Sequence, residues 1–137
     1  MIIGIGHDLC DVDRIEALLN GASGRRFEER ILAPAERKLA AELAGRRRAE
    51  FVAGRFAAKE AVSKALGCGI GGICGFRDIS VLRSSAGRPV CELSPHTLQA
   101  LGLQAQPLLH ASITHERGLA SAVAVLESAQ LLLRPAF

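Results

Sequence analysis

Two carboxylates in this 137-residue sequence could act together on a phosphate substrate. Asp8 follows a short apolar segment, and Glu60 lies in a segment rich in helix formers, four residues before Lys64. Taken singly, Asp8 could be a cap or a turn former and Glu60 a partner in a surface ion pair. Taken together they suit Mg²⁺, which binds one or two carboxylates and completes its shell with water and phosphate oxygens. If the two segments meet, the pair predicts a magnesium site.

Basic side chains accompany Glu60 along the same predicted helix. Phe56, Glu60 and Lys64 are spaced by four and share one stripe, while Arg55 and Lys59 share the next stripe. Cationic side chains on adjoining stripes can bind phosphate oxygens. We therefore expect Arg55, Lys59 and Lys64 to neutralise the phosphates of a substrate.

Two histidines are ambiguous, and other nucleotide or hydrolase motifs are absent from the sequence. His115 ends a predicted strand and His7 precedes Asp8, so each could be functional or simply hydrogen-bonded. The sequence contains neither GxSxG nor GxxxxGK[ST], and the GIG at 4–6 lacks the third glycine of a dinucleotide fingerprint. The glycine-rich segment 67–75 follows a helix, so it faces the negative end of the helix dipole and is predicted to be a helix stop.

The elements that carry these residues predict an α+β fold, with helices packed on a small antiparallel sheet. Ile2, Ile3 and Ile5 predict a short buried strand that runs into Asp8. Apolar spacing and stop signals predict helices over 11–19, 27–32, 34–44, 47–66 and 95–101, and strands over 78–82, 90–93, 108–114 and 120–126. The tail 131–137 has no clear assignment.

Length and composition indicate one domain over 1–137. With 49% apolar residues, the chain can bury a real core, which excludes disordered and fibrous classes. The net charge of +3 is too small to indicate nucleic-acid binding. Basic residues are concentrated in 14–48, after an acidic start, which could mark a surface for an anionic partner. Charge alone favours a solvated, salt-bridged helical face.

The cysteines and the N-terminus indicate a cytoplasmic protein. The spacing of the four cysteines fits neither a CxxC pair nor a zinc site, so free thiols are expected. The first residues have no basic segment before the apolar ones, and no apolar run is long enough to span a membrane.

Three segments resemble the holo-acyl-carrier-protein synthases, the small single-domain group of 4′-phosphopantetheinyl transferases. They are IGIGHDL at 3–9 with Arg14-Ile15 just after, EFVAGRFAAKEAVSKALG at 50–67, and SITH at 112–115. The middle segment is long and highly specific, and the match extends over 3–126. The resemblance implies the 4′-phosphopantetheinyl transferase fold.

The resemblance also implies an activity and the residues that carry it. The family transfers the phosphopantetheine arm of coenzyme A to a serine of apo acyl carrier protein and releases adenosine 3′,5′-bisphosphate, with Mg²⁺ as the expected ion. By motif, Asp8 and Glu60 are the metal ligands, and Lys64 lies beside the reacting phosphate. A carboxylate or a metal-bound water near Glu60 would accept the serine proton. The residues implied to hold coenzyme A are Arg55, Lys64, Gly87, Arg88, Pro89 and His115, of which His115 and Lys64 are also implied to be catalytic.

The partners follow from the same resemblance. Arg14, Arg25, Arg26 and Arg30 are implied to dock the acidic carrier protein, and the enzymes are typically trimers with active sites between protomers. His7 receives no role. The alternative function is a non-catalytic basic module that binds an acidic protein or a nucleotide through 14–48. A nucleic-acid binder is a weaker alternative, because the chain's five aromatic residues are all Phe.

Overall fold

A computed structural model describes residues 1–128, and its strands form two separate antiparallel sheets. The strands are β1 (Ile2–Asp11), β2 (Ile79–Arg83), β3 (Pro89–Leu93), β4 (Leu108–Glu116) and β5 (Leu119–Glu127). The larger sheet has the order β1-β5-β4, so β1 and β4 are its edges, and β2 pairs with β3 in a hairpin. The predicted α+β class with antiparallel strands is confirmed, although two sheets replace the single sheet expected.

The helices are α1 (Val12–Asn20), α2 (Gly24–Ile31), α3 (Pro34–Ala41), α4 (Gly45–Leu66) and α5 (Pro95–Ala100), with a 3₁₀ turn at Phe76–Asp78. Local sequence explains their ends. The Asp11 carboxylate accepts the Arg14 N–H at 3.1 Å and caps α1. Gly67 ends α4 with φ 80°, a conformation that costs glycine little.

The long helix α4 lies across the larger sheet and packs most closely on β1. A Cβ added at Gly4 would lie 1.9 Å from the Ala65 carbonyl oxygen, and one added at Gly6 would lie 1.8 Å from the Ala61 carbonyl oxygen. Only glycine permits this approach, so the strand backbone rests directly on the helix. Since alternate residues of a strand face the same side, Asp8 is directed to the α4 side as well.

The prediction of a buried strand from Ile2, Ile3 and Ile5 is wrong in two respects. β1 continues to Asp11, so Asp8 lies within the strand and not at its end. Ile3 and Ile5 are 54% and 65% exposed. Because Gly4 and Gly6 occupy the helix side, the isoleucines alternate onto the opposite face of the sheet.

Smaller differences concern helix bounds. The third helix ends at Ala41 where 44 was expected, and Gly45, predicted as its stop, instead begins α4. The unassigned tail 131–137 lies outside the described residues. Cysteines 10, 68, 74 and 91 are free thiols, as predicted. No helix within residues 1–128 combines the length and apolar character needed to cross a bilayer.

Candidate active site

Asp8, Glu60 and Lys64 meet where β1 crosses the second half of α4. The Lys64 ammonium donates to Asp8 Oδ1 at 3.0 Å and to the His7 carbonyl oxygen at 3.0 Å. The Asp8 side chain is 18% exposed, and Lys64 is about half-exposed. The contact that the sequence left open, between the first strand and the long helix, is therefore made.

The two carboxylates of this cluster influence each other. Burial raises the pKa of Glu60, the negative charge of Asp8 raises it further, and Lys64 opposes both effects. Two carboxylates close enough to repel each other become favourable when a divalent cation lies between them. Within residues 1–128 no group of three or more metal-ligating side chains occurs, so the protein side of such a site would be these two oxygen donors. That small donor set fits Mg²⁺, which keeps waters and substrate oxygens in its shell.

A cavity of about 570 Å³ lies between the β2–β3 hairpin, β4 and the first half of α4. Five residues implied to hold coenzyme A line it together: Arg55, Gly87, Arg88, Pro89 and His115. Arg83 and His110, which the sequence analysis did not single out, line it as well. No carboxylate is among the described residues of its wall, so the cavity is suited to an anion.

Arg55 is the most unusual of these side chains, because it is a cation that is only 4% exposed. Its guanidinium carbon lies 4.0 Å from the centroid of the Phe51 ring. Its Nε is buried and has no hydrogen-bond partner among the described residues. Burial lowers the pKa of Arg55, the charge of Glu36 raises it, and the neighbouring Arg83 lowers it. A buried guanidinium with an unbonded Nε is costly, so this cavity wall is suited to a ligand that supplies negative charge.

His115 is held against the long helix by a backbone contact. Its Nε2 lies 2.9 Å from the Glu50 carbonyl oxygen, which can only accept, so Nε2 carries the proton and donates. Gly54 makes room for the ring, since a Cβ there would lie 2.9 Å from the same Nε2. In the neutral ring Nδ1 is therefore the acceptor.

The expectation that Lys59 neutralises substrate phosphates is wrong. Lys59 is fully buried, and its ammonium forms an ion pair with Glu36, which is fully buried too. Arg55 and Lys59 do share a stripe of α4 and both are buried, but of the two Arg55 alone lines the cavity. Helical spacing shows which residues lie together and not how deep each one sits.

The four arginines implied to dock a carrier protein are exposed on α1 and α2. The Arg14 guanidinium carbon lies 5.8 Å from the ring centroid of Phe56, one turn before Glu60 on α4. Arg25 pairs with Glu29 along α2. Arg14 therefore lies beside the stripe of α4 that carries Glu60. His7, given no role, hydrogen-bonds to Ser121 on the opposite face of the sheet.

Arg83 and Phe51 were missed for different reasons. Arg83 ends β2 and pairs with Pro89 across the hairpin, so a hairpin register drawn from the Ala86-Gly87 turn would have placed it in the cavity wall. Phe51 lies four residues before Arg55, a spacing that allows a ring and a cation to stack. The second signal was present in the sequence.

The cluster and the cavity are the parts that transfer of a phosphorylated group would need, and comparison with known proteins identifies the class. The family model of the 4′-phosphopantetheinyl transferase superfamily matches residues 4–124. The chain belongs to this superfamily.

Within the superfamily the similarity is to the holo-[acyl-carrier-protein] synthases. The synthase of Bacillus cytotoxicus is 47% identical over 128 residues, which cover 93% of this chain and 98% of that protein. A crystal structure of the synthase from Bacillus anthracis in complex with CoA (3′,5′-ADP) is 43% identical, with a TM-score of 0.79 over 94% of this chain and 99% of that one. The Helicobacter pylori synthase in complex with coenzyme A is 36% identical, with a TM-score of 0.76 over 90% and 99%. The resemblance drawn from the three sequence segments is confirmed.

Proposed function

We propose that this protein transfers the 4′-phosphopantetheine arm of coenzyme A to a serine of apo acyl carrier protein, with Mg²⁺ at the carboxylate cluster. The family and its coenzyme A-bound relatives support the reaction. The observation that carries the use of this site is Arg55, a buried cation of the cavity wall whose Nε has no hydrogen-bond partner within residues 1–128. An anion in the cavity would offset its charge. Coenzyme A brings a pyrophosphate and a 3′-phosphate, and so supplies such an anion.

Asp8 and Glu60 hold the metal ion in this proposal. When bound, Mg²⁺ draws charge from the phosphorus under attack and stabilises the leaving bisphosphate. Lys64 is already oriented by Asp8 and by the His7 carbonyl, so its half-exposed ammonium is in place to bind a phosphate oxygen. Asp8 thus orients both a cation of the protein and the ion.

Arg55, Gly87, Arg88, Pro89 and His115 hold the nucleotide end. Arg55, Arg83 and Arg88 line the cavity together with His115, so several hydrogen-bond donors face a bound anion. Gly87 in the hairpin turn has φ 80°, and a Cβ added there would meet nothing within 4 Å, so a ligand can approach the backbone.

The active site is shared between copies of the chain, and we assign a homotrimer of this single domain. Asp8 and His115 lie on the two edge strands with β5 between them, so the metal and nucleotide parts occupy opposite edges of one sheet. The outer face of that sheet exposes large apolar side chains: Ile3, Ile5, Leu9, Leu119 and Val123. An apolar face of this kind favours burial against another copy.

The acidic carrier protein docks on α1 and α2 through Arg14, Arg25, Arg26 and Arg30. Support comes from their exposure and from the position of Arg14 beside the stripe that carries Glu60. The free thiols agree with a cytoplasmic location.

The test is to incubate the protein with apo acyl carrier protein, coenzyme A and Mg²⁺ and to weigh the carrier by mass spectrometry. We expect a mass increase of one phosphopantetheine that requires coenzyme A and disappears with EDTA. Asp13→Ala provides a matched control for Asp8→Ala, because Asp13 is an exposed acid that pairs with Arg46. Binding of carrier without transfer, on several carriers, would instead support a non-catalytic basic module.

A further inference from the structure

A buried ion pair connects four segments behind the cavity. Glu36 and Lys59 are both 0% exposed, and Lys59 Nζ lies 2.5 Å from Glu36 Oε2. Lys59 also donates to the Ile31 carbonyl oxygen at 2.7 Å, at the end of α2. The carboxylate of Glu36 accepts the Ala33 N–H at 2.6 Å and the Val81 N–H of β2 at 2.8 Å. The two side chains therefore join α2, α3, α4 and β2.

The pair acts on elements that form the cavity wall. Val81 lies two residues before Arg83, and the same hairpin continues to Gly87 and Arg88. Lys59 lies one helical turn after Arg55, the buried cation on the other wall. The Glu36 carboxylate thus ties the hairpin with Arg83 and Arg88 to the turn of α4 that carries Arg55.

A buried ion pair is weak evidence for stability, because desolvation offsets much of its attraction and apolar side chains often replace it without loss. Hydrogen bonds, unlike apolar contacts, fix direction and distance. Burial lowers the pKa of Lys59, and the charge and hydrogen bond of the Glu36 carboxylate oppose that shift. These properties suit a role in fixing the relative positions of the segments that the pair joins.

We propose that Glu36 and Lys59 are positioning residues for the coenzyme A cavity, which set the distance between the β2–β3 hairpin and the Arg55 turn of α4. Neither residue lines the cavity, and they act on it through Val81 and the helix, with the charge of Glu36 also acting on Arg55. The inference rests on the proposed role of the cavity in binding coenzyme A. The pair should therefore affect the affinity for coenzyme A and leave the affinity for carrier protein unchanged.

The test is the double variant Glu36→Met/Lys59→Met, which removes both charges together and leaves no unpaired buried ion. We expect a folded protein whose dissociation constant for coenzyme A, measured by calorimetry without transfer, rises about tenfold. The Michaelis constant for coenzyme A should rise in parallel, while that for carrier protein stays within about twofold of the unmodified value. A purely stabilising role would change the melting temperature alone.

The matched control is Glu28→Met/Arg48→Met. Arg48 bonds Glu28 in a bidentate pair at 2.9 and 2.7 Å, which ties α2 to α4 away from the cavity. This variant also removes an ion pair of α4, so coenzyme A binding should stay within about twofold of the unmodified protein. Equal weakening in both double variants would overturn the inference, as would normal coenzyme A binding in a folded Glu36→Met/Lys59→Met protein.

A measurement on the unmodified protein keeps the proposal testable if the double variant does not fold. Coupling between sites is reciprocal, so coenzyme A should tighten the bonds to the Glu36 carboxylate. The Ala33 amide, which bonds to that carboxylate and lies outside the cavity wall, should exchange its hydrogen more slowly when coenzyme A is bound. Unchanged exchange at Ala33 would contradict the positioning role. Failure of the unmodified protein to bind coenzyme A would instead contradict the proposed function.

Discussion

Gly6→Ala should move Asp8 without changing its carboxylate, and so tests how strongly activity depends on the position of Asp8. A Cβ at residue 6 would lie 1.8 Å from the Ala61 carbonyl oxygen, where ordinary contacts begin at 3.4 Å, so β1 and α4 must move apart by about 1.6 Å. Asp8 lies two residues farther along the strand and Glu60 one residue before Ala61, so the displacement falls on the carboxylate pair. Overpacking of this kind costs about 1–3 kcal/mol, which leaves a typical domain folded. Misplacement by about 1 Å can cost a hundredfold in rate.

The assay combines urea unfolding with initial rates of carrier modification at several Mg²⁺ concentrations. We expect Gly6→Ala to be folded, to lose about 1–3 kcal/mol of stability and to retain about one hundredth of the activity, with a weaker response to Mg²⁺. The control is Gly72→Ala, where an added Cβ meets nothing within 4 Å and φ is not positive. A folded Gly6→Ala protein with near-normal activity would refute the view that the close packing of β1 on α4 sets the metal site.

Three further predictions concern the charged residues. Asp8→Ala and Glu60→Ala should abolish transfer while circular dichroism stays native, and near-normal rates in either at saturating Mg²⁺ would refute the metal assignment. Arg14→Glu should raise the Michaelis constant for carrier far more than that for coenzyme A, and equal effects would argue against docking at α1. Added salt should also raise the Michaelis constant for carrier, because these charges are exposed. The pKa of Glu60 is raised in the folded state, so the metal-free protein should lose stability as pH rises from the ordinary carboxylic range through that pKa. The Glu60→Gln variant should not show this loss. Melting temperatures measured in EDTA across pH test the difference. Mg²⁺ binding should run the other way and weaken as pH falls, since the proton competes with the ion for Glu60.

Helical elements were predictable because their signals are local. The spacing of α4, its stop at Gly67 and the proline that begins α3 are all decided within a few residues. The depth of a side chain is not local. Lys59 was placed with the phosphate-binding cations because its stripe includes Arg55, yet Glu36, 23 residues earlier, draws it into the core.

In the first strand, too, the local sequence did not show which residues are buried. Glycines in a strand pattern reduce the apolar signal, so Ile3 and Ile5 were taken as the buried residues. In the structure Gly4 and Gly6 form the packed side, because the partner is the backbone of α4, which only a residue without a Cβ can approach so closely. Because the glycines face α4, Asp8 faces Glu60 on the same side, and the isoleucines are exposed on the outer face.

The distribution of ion pairs gives the small net charge a clearer meaning than the total did. Within the basic segment 14–48, Arg46 forms ion pairs with Asp13 and Glu16, and Arg48 forms one with Glu28. Those arginines fasten α1 and α2 to α4, so their attraction for an acidic partner is largely neutralised by neighbouring carboxylates. The exposed arginines of α1 and α2 and the arginines of the cavity wall are two separate groups of cations that remain for ligands. Screening by salt acts on exposed groups first, whereas a cation as buried as Arg55 is shielded from it. Carrier docking and coenzyme A binding should therefore differ in salt dependence, even though both depend on arginine.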